Sequence, residues 1–92
     1  MAVHANIGVA IEKYYGRYML NSKDISEMFG GVSKSTVSKL KHEARVLMLQ
    51  KGVPLWDNRH VDTKTAFEAW KLDINDLEKR YERLQKFKGG YQ

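Results

Sequence analysis

The sequence predicts a mainly α domain in which two helices meet at a sharp glycine turn, a small β-hairpin follows, and further helices flank this unit at the N- and C-terminal ends. Three observations carry that expectation. Apolar residues recur at helical spacing in several separate stretches. Residues with side-chain oxygens and glycines stand where those stretches begin and end. Only residues 53–62 combine a proline with an Asp-Asn turn between short apolar pairs. A chain of 92 residues is too short to fill two cores, so residues 1–88 are expected to form one domain and 89–92 a flexible tail.

The first helix is expected from residue 4 or 5 to 15, with Ile7, Ala10, Ile11, Tyr14 and Tyr18 on one face and Gly16 at the C-cap. Residues 18–20 read as a short extended stretch that delivers Leu20 to the core. Ser22 offers an N-cap oxygen to a second helix over 23–29, in which Ile25 and Phe29 recur one turn apart. Gly30 and Gly31 end it where the backbone must take positive φ. Ser33 caps a third helix over 34–50, whose apolar stripe is Val37, Leu40, Ala44 and Leu47 or Met48, and Lys51-Gly52 closes it. Its far end, Val46 to Leu49, is apolar on every side and calls for cover on more than one face.

Residues 53–62 read as two extended segments around Asp57-Asn58, with Pro54 allowing only an edge strand. A helix over 63–70 ends in Trp70. The last helix, 73–88, is capped by Asp73 and carries a narrow seam of Ile74, Leu77, Tyr81, Leu84 and Phe87, with i,i+4 pairs Asp76–Arg80 and Glu82–Lys86. That seam is expected to dock on the apolar end of the third helix, in the same chain or in a partner.

Residues 22–50 resemble the helix-turn-helix of bacterial and phage DNA-binding proteins. In that motif a supporting helix, a glycine turn, a V-S-x-x-T-V-S opening and a recognition helix follow one another. The matching positions are Asp24-Ile25-Ser26, Gly30, and Val32-Ser33-Lys34-Ser35-Thr36-Val37-Ser38-Lys39. Ser26 replaces the usual alanine but keeps a small residue at the helix crossing, and Gly31 adds a residue to the turn. The proline approach, turn, arginine and following helix of residues 53–70 are similar to the winged domains of phage excisionases and MerR-type regulators. Together the resemblances imply a winged helix-turn-helix that inserts its third helix into the major groove of double-stranded DNA, as a transcriptional regulator or excisionase-like factor of a phage or mobile element. The alternative is a non-catalytic assembly or adaptor module, like a small terminase subunit, that uses the helix pair for packing.

By match to the family pattern, Lys34, Ser35, Ser38 and Lys39 are expected at base edges or nearby phosphates, with His42 further along the groove. Thr36 either supports the cap or touches DNA. Ser22, Lys23 and Ser33 are candidate phosphate anchors, because helix N-termini present free N–H groups to anions. Lys41 and Arg45 complete the cationic side of the third helix, and Asn58 and Arg59, with His60, are expected to reach from the wing.

Charge agrees with this placement. Sixteen Lys and Arg stand against eleven Asp and Glu, a net charge of +5. Between Ser33 and His60, Lys34, Lys39, Lys41, Arg45, Lys51 and Arg59 are opposed only by Glu43 and Asp57. A polyanionic partner is the expected consequence.

The same residues speak against an enzyme. The absence of cysteine removes disulfides, thiolate zinc sites and thiol nucleophiles. His4, His42 and His60 lack metal-ligand spacing, no phosphate-binding glycine loop precedes a Lys-Ser or Lys-Thr pair, Gly30-Gly31 being a turn, and the sequence places no histidine base for Ser33, Ser35 or Ser38. No catalytic group, metal or cofactor is therefore expected. No apolar run approaches the ~20 residues needed to span a bilayer, and the N-terminus lacks a signal-peptide pattern, so no membrane association and a cytoplasmic location are expected. A single small domain touches few base pairs, so a homodimer or cooperative oligomer on DNA is expected, assembled through the last helix.

Overall fold

The computed structural model describes residues 5–55, 57 and 59–89. Helix α1 (Ile7–Gly16) starts behind Asn6, whose side-chain oxygen accepts the Val9 N–H at 3.2 Å. It runs one residue beyond the expected end. Gly16 closes the helix and Arg17 occupies the C-cap in an extended conformation, so the chain leaves directly into strand β1 (Met19–Leu20).

Asn21, rather than Ser22, caps helix α2 (Ser22–Met28). Its side chain accepts the Asp24 N–H at 2.8 Å while the Asp24 carboxylate accepts the Asn21 N–H at 3.1 Å. Two cap-competent residues stand in a row, and the reciprocal pair of hydrogen bonds selects the first. Gly30 and Gly31 both take positive φ, 74° and 78°, a conformation that a β-carbon would strain.

Helix α3 (Lys34–Lys51) begins at Ser33, which accepts the Thr36 N–H, and ends at Gly52 in the left-handed conformation. Val37, Ala44 and Met48 are buried along one side of it. Val37→Ala is expected to cost roughly 1 to 3 kcal/mol of folding stability in chemical denaturation, because it empties part of the α2–α3 contact without removing any polar group.

Beyond α3 come strand β2 (Val61–Asp62), helix α4 (Thr63–Ala69) and helix α5 (Ile74–Gly89). The architecture is thus mainly helical with one small antiparallel pair of strands, as expected, but that pair forms differently. β2 pairs with β1, in the register Met19↔Asp62 and Leu20↔Val61, and not with residues 53–55. The Val53 N–H is already used to close α3 on the Met48 carbonyl at 2.9 Å, and Pro54 has no N–H to give, which leaves this segment without a strand ladder. Trp56 and Asn58 lie outside the described residues, as do residues 90–92 of the expected tail, whereas Gly89 belongs to α5.

The last helix also docks differently from expectation. α5 packs on α1, and it is α4 that lies along α3. The apolar end of α3 is covered on one side only: Met48 is fully buried while Leu49 stays 67% exposed. Trp70, the C-cap of α4, fastens the arrangement. Its Nε1–H donates to the Leu40 carbonyl at 2.8 Å, and its ring meets Phe29 edge-on at 5.4 Å.

One local device is used twice. Asn21 and Asp62 cap α2 and α4 by accepting the N–H three residues on. α2 closes with Phe29→Ile25, Gly30→Glu27 and Gly31→Ser26 hydrogen bonds. α4 closes with Trp70→Ala66, Lys71→Glu68 and Leu72→Phe67, each partner displaced by 41 positions, which is also the separation of Leu20 and Val61. Lys71 takes the positive φ, 58°, that Gly30 takes in the first unit. The counterparts Leu20 and Val61 pair with each other, and the counterparts Phe29 and Trp70 stack on each other. The two strand–helix units therefore meet about a local two-fold through the centre of the core.

The ion pair of the buried Asp24 carries a pH dependence. Lys13 on α1 reaches the nearly buried Asp24 at 2.8 Å, with Arg17 at 4.0 Å. Burial pushes the Asp24 carboxyl upward, but the Lys13 hydrogen bond, the Asn21 N–H and the two cationic charges outweigh it and hold the group below the usual carboxylate range. Because the folded value is depressed, the stabilisation is complete above the unfolded carboxylate value of about 3.9 and is lost as pH falls through the folded value. Asp24→Asn is expected to lower stability near neutral pH by about 1 to 3 kcal/mol and to flatten the acid limb of a stability–pH profile measured by urea denaturation.

Candidate nucleic-acid interface

The N-terminal end of α3 is built by hydroxyl groups. Ser33 Oγ lies 3.1 Å from both Ser35 Oγ and Thr36 Oγ1 and accepts the Thr36 N–H at 3.3 Å. Thr36 is half-buried and serves this cap, whereas Ser33 and Ser35 remain exposed. Beyond them Lys34, Ser38, Lys39 and His42 are exposed, whereas Val37, Ala44 and Met48 of the same helix are buried. Ser35, Thr36, Ser38, Lys39 and His42 line one shallow surface. Lys34 and Ser38 also flank a groove shared with Ser22, Lys23 and Ser26 of α2. The free N–H groups and positive dipole end of an 18-residue helix add to the potential at this end.

A second group of side chains lies further along α3. Lys41 is half-buried, and its Nζ donates to Ser22 Oγ at 3.3 Å, which ties α3 to the first residue of α2. Burial, and then the positive charge of Arg45, hold the Lys41 ammonium below the ordinary lysine range. Arg45 Nη1 donates to the Asp57 carbonyl oxygen at 2.9 Å. The Asp57 carboxylate accepts the N–H groups of Arg59 and His60, both at 2.8 Å, and contacts His60 Nδ1. The Arg59 N–H first, and then the His60 ring, hold Asp57 below the usual carboxylate range.

Asp57 therefore folds its loop around one carboxylate and anchors it to Arg45, setting the exposed Arg59 beside the cationic side of α3. Arg45 and Arg59 both come within electrostatic reach of Lys41, with Asp57 as the opposing acid. Clustered cations raise one another's self-energy, and a phosphate among them relieves it.

The structure thus brings Ser35, Ser38, Lys39 and His42 onto one exposed surface, leaves Ser33 and Lys34 exposed at the start of the helix, and places Arg45 and Arg59 near Lys41 further along. Ser22 is drawn into contact with Lys41, while Lys23 stands exposed on α2. Asn58 lies outside the described residues. The organising role of Asp57 was not expected from the sequence. Its signal is an Asp two residues before Arg59 and three before His60, the spacing at which a carboxylate accepts following backbone N–H groups.

Among the described residues, no helix is long and apolar enough to cross a membrane, and no three His, Asp or Glu residues are grouped so as to hold a metal ion. Comparison with known protein families, with curated proteins and with solved structures finds no match for this chain.

Proposed function

We propose that this protein binds double-stranded DNA in the cytoplasm by seating the N-terminal half of α3 in the major groove. Ser33, Lys34, Ser35, Ser38 and Lys39 meet base edges and adjacent phosphates, and Lys41, Arg45 and Arg59 clamp the backbone where the helix leaves the groove. The observation that carries this reading is the division of α3 into buried apolar residues and exposed hydroxyls and lysines that none of the other described residues covers. A B-DNA major groove about 12 Å wide accepts such a helix end-on.

The role follows the resemblance of the α2–α3 segment, a transcriptional regulator or excisionase-like factor of a phage or mobile element. Sequence discrimination is modest, because the exposed face has no Arg, Asn or Gln before Arg45 to make bidentate contacts with guanine or adenine. Lysines and small hydroxyls leave most of the affinity to phosphates.

Fluorescence anisotropy of a labelled duplex over a range of salt concentrations tests the proposal. Neutralising about four to six phosphates gives an expected log–log slope on the order of −4 to −5. A slope near zero, or no binding at low salt, refutes groove binding and leaves the helix pair to a packing role in an assembly module.

A further inference from the structure

We infer that the cleft between the end of α1 and the start of α4 is a second nucleic-acid site, one that takes a single strand and not a duplex. The cleft, of about 380 Å³, is walled by Tyr14, Tyr15 and Tyr18 and edged by Arg17 and Lys64. Three of the chain's five tyrosines thus stand at one place, between two cationic side chains.

The frame of the cleft is fixed by the fold. Thr63 donates its N–H to the Tyr18 carbonyl at 3.0 Å and its hydroxyl to the Arg17 carbonyl at 2.8 Å, which holds the entry to β1 against the first turn of α4. Tyr14 meets Phe67 of the core at 5.0 Å and Tyr15 at 5.3 Å, and Tyr15 is tied through its hydroxyl to Glu78. Tyr15 and Tyr18 still remain 66% and 95% exposed, and Tyr18 has no ring partner among the described residues.

Charge and ring chemistry select the ligand. Asp62 also lines the cleft, but its carboxylate already accepts the N–H and the hydroxyl of Thr65, at 3.0 and 2.7 Å. Arg17 lies 4.0 Å from Asp24, which Lys13 answers more closely at 2.8 Å. Lys64 is exposed and has no ion-pair partner among the described residues. Arg17 and Lys64 therefore favour phosphate groups. A duplex keeps its bases stacked inside and offers nothing to the tyrosine rings, whereas a single strand presents bare base faces to an aromatic platform beside a cationic edge.

The local two-fold sets this cleft apart from the α3 face. At the 41-residue displacement Lys64 is the counterpart of Lys23, and Tyr18 is the counterpart of Arg59. One end of the β1–β2 ribbon leads into Lys23 and Arg59, the other into Lys64 and Tyr18. The two ends keep a lysine in common, and a ring replaces the guanidinium at the second.

Fluorescence anisotropy with a labelled oligothymidylate of about 12 nucleotides, and with an abasic deoxyribose-phosphate strand of the same length, tests the inference. The parent is expected to bind the thymidylate about fivefold or more tightly than the abasic strand, which keeps the charges and lacks the rings. Tyr18→Ala is expected to weaken thymidylate binding by about fivefold or more and to bind the two strands alike, with the thermal melt unchanged because the ring is exposed. Tyr18→Phe keeps the ring and is expected to bind like the parent. Lys64→Ala is expected to weaken both strands and to flatten the log–log salt slope by about 0.7. A parent that does not bind the thymidylate at low salt or does not distinguish it from the abasic strand, a Tyr18→Ala variant that binds like the parent, or a Tyr18→Phe variant as weak as Tyr18→Ala overturns the inference. Each of these outcomes leaves the groove-binding proposal standing, since that is read on a duplex and rests on α3.

Discussion

Replacing Lys34 and Lys39 together by alanine is expected to weaken duplex binding by about 10- to 100-fold at moderate salt and to flatten the log–log salt slope by close to 2. Each lysine in the bound state releases about one counterion from the DNA, so removing two takes away both affinity and its salt dependence. Folding should barely respond. Both side chains are exposed, so stability in urea should stay within about 0.5 kcal/mol of the parent. The contrast between the two readouts is the informative part. If stability drops while the salt slope holds, the lysines serve the fold and the groove assignment fails. Arg45→Ala is a separate case, because Arg45 also holds the Asp57 loop, so losing it moves Arg59 together with its own charge.

The largest expected effect on folding belongs to Trp70. Trp70→Ala is expected to destabilise the protein by about 3 to 5 kcal/mol in chemical denaturation, a large part of the total stability of a domain of this size. The ring contributes at three places. It meets Phe29 edge-on across the local two-fold, it lies 6.5 Å from Phe67, and its Nε1–H holds the Leu40 carbonyl in the middle of α3. Trp70→Phe separates these contributions, since it keeps an aromatic contact but leaves the Leu40 carbonyl without that donor. An intermediate loss of about 1 to 3 kcal/mol is expected for it. If Trp70→Phe were as damaging as Trp70→Ala, the hydrogen bond would outweigh the packing. A loss below about 1 kcal/mol for Trp70→Ala would mean that the two units do not depend on their shared aromatic contact.

What could be read from residues alone follows the range of the interactions involved. The bounds of α3 were legible because they are set locally, by Ser33 at one end and Gly52 at the other, and its buried stripe follows from spacing. The pairing of Met19–Leu20 with Val61–Asp62 was not, because strands of two residues carry no register signal and their partner is chosen by the packing of α2 and α4. The docking of α5 is not legible for a similar reason. A seam announces that a helix is covered, but not by what, and α1 rather than the end of α3 meets Leu77. The Ser22 cap failed on a finer point, since Asn21 could form the reciprocal pair with Asp24 and leave Ser22 to Lys41.

The displaced recurrence of strand, cap, lysine, glutamate and aromatic was present in the residues as well. Asn21, Lys23, Glu27 and Phe29 stand against Asp62, Lys64, Glu68 and Trp70. Only two of these four pairs are identical, so the repeat becomes plain when the hydrogen bonds align. For the interface, exposure of Lys34, Ser35, Ser38 and Lys39 follows from the helical period. The grouping of Lys41, Arg45 and Arg59 depends on a loop that closes on Asp57, which periodicity does not describe.

The most direct measurement is a titration of the isotopically labelled protein with a short duplex, following backbone amide shifts residue by residue. The expected result is a continuous set of large changes from Ser33 to His42, extending to Arg45 and Arg59, with small changes along α5 from Glu82 to Phe87. Changes concentrated on α5 or α1 with α3 unmoved, or none at a duplex concentration where anisotropy reports binding, would contradict the claim that α3 enters the groove.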